Sequence, residues 1–240
     1  MTCIVSAYYK IPSKSSHEDY IPHLIRWFKS VGTAPNVHFF TTDDVHTELK
    51  ELVDMGSVVV HILPFEQLTA ITQWGREFWE RQYARDPERY HSPELAMIWY
   101  EKRHFVRRVM EIESSQVYIW CDAGCVRDEE SEHAACSFGR REYALSDTIH
   151  LQQIEVQTAK LFYEYPDRFI AGAILAGTKS AWDRYTQAYD SWLNAYDCAG
   201  VSAVSDQYIT SSCVLQDPDL FTLHTEETRV NIWFKFLELL

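Results

Sequence analysis

The chain lacks any apolar run approaching ~18 residues, so no membrane-spanning helix is expected from it. Its N-terminus, MTCIVSAYYKIPSK, lacks the charged-then-apolar layout of a secretory signal, and the expectation is a cytoplasmic protein. Basic side chains are scarce: 22 Lys and Arg stand against 35 Asp and Glu, a formal charge of −13. A generic nucleic-acid binder needs a basic surface to displace counterions, so no nucleic-acid partner is expected. No His-Glu-x-x-His, Gly-x-Ser-x-Gly, Walker A loop or Gly-x-Gly-x-x-Gly occurs. The usual signatures of zincin proteases, serine hydrolases, P-loop enzymes and dinucleotide-binding proteins are therefore missing. Cys121 and Cys125 form a C-x3-C pair without a second pair to complete a zinc site, and the cysteines read as reduced thiols.

What is present is globular. A chain of 240 residues, 46% hydrophobic and 14% aromatic, can bury a sizeable core and is too apolar for disorder. Short apolar runs at residues 2–8, 36–41, 57–63 and 116–121 read as buried strands, with helical spacing at 20–28 and 93–112. This alternation predicts an α/β fold, a central, mostly parallel sheet flanked by helices, in one domain over residues 1–240. Further along, 169–175 reads as a strand and 180–193 and 205–215 as helices. Residues 67–91 read as a Trp-, Arg- and Glu-rich insertion with helical content, and 129–145 as a polar, turn-prone stretch.

Several residues break these patterns in ways that suggest chemistry. In 93–112, Leu95, Ile98, Trp99, Phe105, Val106 and Val109 trace one face at a period of about 3.6 residues, and Lys102 falls near its middle. A lysine on a core-facing stripe costs desolvation unless a negative group meets it. It is either a snorkelling side chain or structural ion pair, or a site for phosphate or carboxylate flanked by Arg103 and Arg107. Asp122 directly follows an apolar strand, at the carboxyl edge where open α/β sheets bind ligands, although an aspartate there can also simply cap a turn. Gly124, two residues on, lets a ligand or metal approach the backbone. Asp206-Gln207 opens a predicted helix, where an acid also favours the macrodipole. Gly172 and Gly177 bracket a strand end, suited to a nearby sugar or phosphate, or to tight packing on a helix. Lys10 and Lys14 lie in the loop after the first strand, with Ser13, Ser15 and Ser16 as further donors, placed either to meet phosphates or to face solvent.

SAYYKIPSK, ELAMIWYEKRHFV, YIWCDAGCVR, FIAGAILAGTKSAW and DQYITSSCVLQ occur in that order, ahead of the C-terminal WFKFLELL. Over nearly the whole chain this order resembles the HtrL/YibB family, found around bacterial surface-polysaccharide loci, with similar sequences in large DNA viruses. That family looks like a branch of the GT-A glycosyltransferases. The resemblance implies one Rossmann-like GT-A domain moving a sugar from a nucleotide-diphosphate donor, UDP-sugars foremost, to a glycan or other hydroxyl acceptor. It implies a nucleoside held by residues 6–9 and 41–43, hence Ala7, Tyr8 and Thr41. Lys10, Lys14, Lys102, Arg103, Asp122, Ala123, Gly124 and Gly172 are the further residues expected around the diphosphate and sugar.

The acidic motif of GT-A enzymes normally reads Asp-x-Asp and holds Mn2+ or Mg2+; here it reads Asp122-Ala123-Gly124. Asp122 is the expected metal ligand, with His224 as a late partner, and Lys102 supplies charge at the departing diphosphate. Asp206 is the candidate base of an inverting route, or joins Gln207 in orienting the sugar in a retaining one. The Trp-rich segment Trp74–Trp79, with Trp99 and Trp120, offers candidates for stacking on sugar or base, although most of these rings are expected in the core. The missing second aspartate supports an alternative, a catalytically silent nucleotide- or glycan-binding module on the same fold. A metal-assisted phosphohydrolase at Asp122 lacks the second ligand cluster it needs.

Overall fold

A computed structural model describes residues 1–54, 56–88, 90–140, 145–155, 169–225, 230–231 and 233–240. Along the chain the elements are β1 (Thr2–Ala7), α1 (His17–Lys29), β2 (Val37–Thr41), α2 (Asp43–Val53), β3 (Val58–Ile62), α3 (Thr69–Trp74), α4 (Arg76–Ala84), α5 (Pro93–Ile112) and β4 (Val117–Cys121). They continue with α6 (Glu129–Ala135), β5 (Ile149–Gln153), β6 (Ile170–Gly177), α7 (Lys179–Ala199), α8 (Asp206–Gln216), β7 (Phe221–His224) and α9 (Phe236–Leu239). Among the described residues seven strands form one sheet in the order β3-β2-β1-β4-β6-β5-β7. β6 runs antiparallel to both of its neighbours, and every other pairing is parallel. The expected α/β fold with a mostly parallel sheet is therefore what the chain forms.

β1 and β4 are buried at every position, as strands covered on both faces must be. Adjacent residues on a strand point to opposite faces, which β2 shows directly. Phe39 packs with Trp27 and Phe28 of α1, whereas Phe40 meets Phe105 of α5 on the other side. α5 starts cleanly because Ser92 accepts from the Leu95 amide and Pro93 occupies the first turn. α7 is capped by Thr178 and stops at Gly200, whose φ of 72° suits a residue without a Cβ.

Two expectations need correction, while the tryptophans of the insertion pack as core, as most were expected to. The stretch 129–145 contains a helix, α6, whose first turn carries Glu129, Glu130 and Glu132 behind an Asp128–Ser131 capping box. Acids at a helix start are stabilising, so polarity there marks a solvated helix rather than a turn; residues 141–144 lie outside those described. The apolar stripe of α5 is not uniformly core: Leu95, Ile98 and Trp99 are half-buried and line a cavity. α5 touches β1 and β4, α3 and α4, and α7, so it is buried on most of its circumference and a one-sided pattern does not apply. In the insertion, Trp74 and Trp79 are packed with Phe78 and Tyr100 as core, Trp79 donating to Ala70 O. Arg89 lies outside the described residues.

Candidate active site

β1 and β4 are parallel neighbours, and Val5 pairs with Trp120, so both strands end at one edge of the sheet. β6, running the other way, begins there, and the Asp122 amide donates to Ala173 O at 2.8 Å. A cavity of about 600 Å3 opens at this edge. Its walls are the β1 end and following loop (Ala7–Ser15), His17 and Tyr20 of α1, the Leu95–Lys102 face of α5, and Trp120, Asp122, Gly124 and Arg127. Tyr90 closes one side.

Lys102 is the organising charge. Its ammonium donates to Asp206 Oδ2 and Gly172 O at 2.9 Å each and to Asp122 Oδ2 at 3.4 Å, with Asp122 Oδ1 3.2 Å away as its ion-pair partner. Asp122 also accepts from Trp120 Nε1 at 2.7 Å. Burial opposes the charge on Lys102, yet Asp122 and Asp206 outweigh it and its pKa lies above the ordinary lysine value. Burial likewise raises the Asp122 carboxyl, against the pull of Lys102 and with a further push from Asp206. The two carboxylates differ in access: the Asp122 side chain is 30% exposed and lines the cavity, whereas that of Asp206 is 11% exposed and lies behind Lys102.

Two glycines make room for this arrangement. A Cβ on Gly172 would meet the Asp206 carboxylate at 2.9 Å, and one on Gly124 would sit 2.6 Å from the Tyr20 ring. Arg103, next to Lys102, points the other way. Its guanidinium lies 3.2 Å from the Tyr189 ring centre, with Tyr100 and Tyr185 also around it. With Lys102 and Asp206 it borders a second space of about 10 Å3, room for roughly one water.

The opposite wall is a relay of polar side chains. Tyr8 stacks on Tyr20 and its hydroxyl lies 2.7 Å from His17 Nδ1, while His17 Nε2 lies 2.5 Å from Glu48. Glu48 also holds Lys10. Both ring nitrogens of His17 are thus engaged, one by Tyr8 and one by Glu48, which fixes the Tyr8 hydroxyl in the cavity wall. Burial moves the Tyr8 phenol well above its usual range, so it stays protonated. Lys14 sits over the Tyr90 ring at 5.2 Å. Arg127 donates from Nε to Gly124 O at 3.0 Å and lies over Phe234.

Of the residues expected from sequence, the cavity gathers Ala7, Tyr8, Lys10, Lys14, Lys102, Asp122, Ala123 and Gly124, with Trp99 and Trp120. Gly172 and Asp206 adjoin it through Lys102. Arg103 is turned into its tyrosine cage and Arg107 faces Asp183 at the surface, so neither widens a basic patch. Thr41 is buried and braces β1 by donating to Tyr8 O, and Gln207 donates to Ile170 O. Ser16 caps α1. Tyr20, His17, Tyr90 and Arg127 were not expected. Arg127 carried a readable signal, a basic residue five positions after Asp122; the others join from segments far away in sequence.

The residues do not fit a Mn2+ or Mg2+ site. Both oxygens of Asp122 face hydrogen-bond donors, and position 124 cannot carry a carboxylate while Tyr20 occupies the space beside it. His224 ends β7, three strands from β4 or roughly 14 Å, and is hydrogen-bonded to His150. No group of three His, Cys, Asp or Glu able to hold a metal occurs among the described residues. Cys121 and Cys125 lie with sulfurs 3.4 Å apart as free thiols.

No protein-family model matches the sequence, and no curated protein matches it. Among solved structures the chain is similar to apo mouse xyloside xylosyltransferase 1, with a TM-score of 0.56 at 12% identity, over 93% of this chain and 85% of that one. Looser likenesses are a glycosyltransferase involved in glycosylation of the major capsid of PBCV-1 (TM-score 0.46, 10% identity, 93% and 81% covered) and a Leptospira borgpetersenii cytidylyltransferase (0.47, 10%, 94% and 76%). At these identities the likeness is one of fold. The chain has a mixed α/β fold of the GT-A-like kind.

Proposed function

We propose that the chain is a glycosyltransferase of the HtrL/YibB type, residues 1–240 acting as one domain, that moves a sugar from a nucleoside-diphosphate donor to a hydroxyl of a glycan or similar acceptor. The observation that carries the reading is the joining, in one cavity at the carboxyl edge, of a partly open carboxylate, cations and aromatic walls. Tyr8, Tyr20 and Trp99 offer faces for base and sugar. Lys14 and Arg127 supply charge for the diphosphate, and Asp122 faces the reacting sugar.

In the reaction the bond between the anomeric carbon and the diphosphate oxygen breaks, its electron pair leaving with the diphosphate. The acceptor oxygen bonds to that carbon and its proton passes to Asp122. A carboxyl raised above its usual range is the better base near neutral pH. Asp206, expected as the base, is held behind Lys102 and takes a positioning role in this reading: it fixes Lys102, which fixes Asp122. UDP-sugars head the donor panel, hexoses and pentoses alike, with polysaccharide assembly in the cytoplasm as the setting.

The test is a panel of UDP-, GDP- and CMP-sugars incubated with the protein and candidate glycans, measuring released nucleotide. Release from one donor class above the no-enzyme control is expected. Tight donor binding with no release from any donor would favour the silent binding module.

A further inference from the structure

We propose that this site handles the donor diphosphate without a divalent cation, with Arg127 and Lys14 as the cations that meet it. The inference rests on the transferase reading and concerns how the same cavity manages charge. Lys102, the residue first expected at the diphosphate, has each of its three ammonium hydrogens directed to an acceptor of the protein: Asp206, Gly172 O and Asp122. It has no donor left for a phosphate oxygen.

The metal's other ligands are also prevented. A side chain at position 124 would collide with the Tyr20 ring at 2.6 Å, so the turn after β4 carries no second carboxylate while Tyr20 holds its place in the cavity wall. The buried charges balance locally: Asp122 and Asp206 against Lys102 and, one small cavity further in, Arg103. A diphosphate entering the cavity therefore meets no net negative cluster behind Asp122.

Two cations on the cavity wall have no carboxylate partner among the described residues. Lys14 rests over Tyr90, and Arg127 is anchored through Nε to Gly124 O, while Lys10 is held by Glu48. The Nε anchor orients the guanidinium fork, whose remaining donors match phosphate oxygens bidentately. Gly124 O belongs to the turn that carries Asp122, so one short segment sets both the diphosphate contact and the reacting carboxylate. The two phosphates of a sugar nucleotide carry one charge each, which Arg127 and Lys14 match.

The experiment is calorimetric titration of UDP, GDP and CDP into the whole chain, in EDTA and again in excess Mn2+. The tightest of the three is expected to bind in EDTA with a Kd within about twofold of its value in Mn2+. Arg127→Ala is expected to weaken it by about tenfold or more in EDTA, and Arg127→Lys to recover part of the loss. Arg127 is exposed, so an unchanged melting temperature checks that the variants fold. Binding that needs Mn2+, or that is indifferent to Arg127→Ala, overturns the inference and leaves the transferase reading standing. If no nucleotide binds in either condition, the transferase reading fails and this inference falls with it.

Discussion

Lys102 shows how a single side chain can be both a cost and a commitment. Taking an ammonium and two carboxylates out of water is expensive, and the arrangement holds because every partner is in place. Removing one partner leaves the others uncompensated. Lys102→Met is therefore expected to destabilise the fold by about 3–5 kcal/mol in urea unfolding. Adding Asp206→Leu to it should restore part of that loss, since one orphaned carboxylate goes with it. Full stability in the single variant would show that the ammonium is not the keystone of the cluster. Lys102 was legible because it interrupts an apolar period, and Asp122 because it ends an apolar strand. Arg103 was not, because nothing local indicates that Tyr185 and Tyr189, more than a helix's length away, form the surface on which it rests.

At the scale of elements, α5 and the loop before it do the positioning. Ser92 serves twice: its hydroxyl caps α5 by accepting from the Leu95 amide and donates to Pro12 O at 2.6 Å, tying the loop after β1 to the helix that carries Lys102. Ser92→Ala is expected to cost about 0.5–2 kcal/mol in thermal or urea unfolding. It should also weaken nucleotide binding, because Lys14 lies in that loop; weaker folding with unaltered binding would confine Ser92 to its cap. The bounds of α5 were readable from its serine, proline and apolar content. The direction of β6 was not, since an apolar run carries no sign of strand polarity; β5 (IHLQQ) is too polar, and β7 (FTLH) too short, to stand out.

For the whole molecule, the balance of buried histidines sets the response to acid. Burial first, then the neighbouring arginines, holds His104 down to about 2, and burial with His224 holds His150 down to about 4. Both are neutral when folded and take up a proton on unfolding below their ordinary value of about 6.5. Their contribution to stability is complete above that value and is lost as pH falls toward the folded values, at about 1.4 kcal/mol per pH unit for each. The melting temperature should therefore drop between pH 7 and pH 5, and less steeply in His150→Gln; a flat profile would contradict the burial of these rings. The layered fold was legible at this scale from alternating strands and helices. The cavity was legible in part: Lys10, Lys14, Lys102 and Asp122 were expected at one edge, whereas His17, Tyr20 and Tyr90 were not, because they reach it only once α1 and the segment before α5 pack on the sheet.

The central claim is that Asp122 acts at the sugar of a nucleoside-diphosphate donor. The most direct measurement compares nucleotide release by the native chain and by Asp122→Asn, each with its donor affinity determined in parallel. The account predicts a loss of turnover of at least about a hundredfold with donor affinity changed severalfold at most, because the amide cannot take the acceptor's proton. Undiminished turnover in Asp122→Asn would contradict it and move the chemistry to another group at this edge of the sheet.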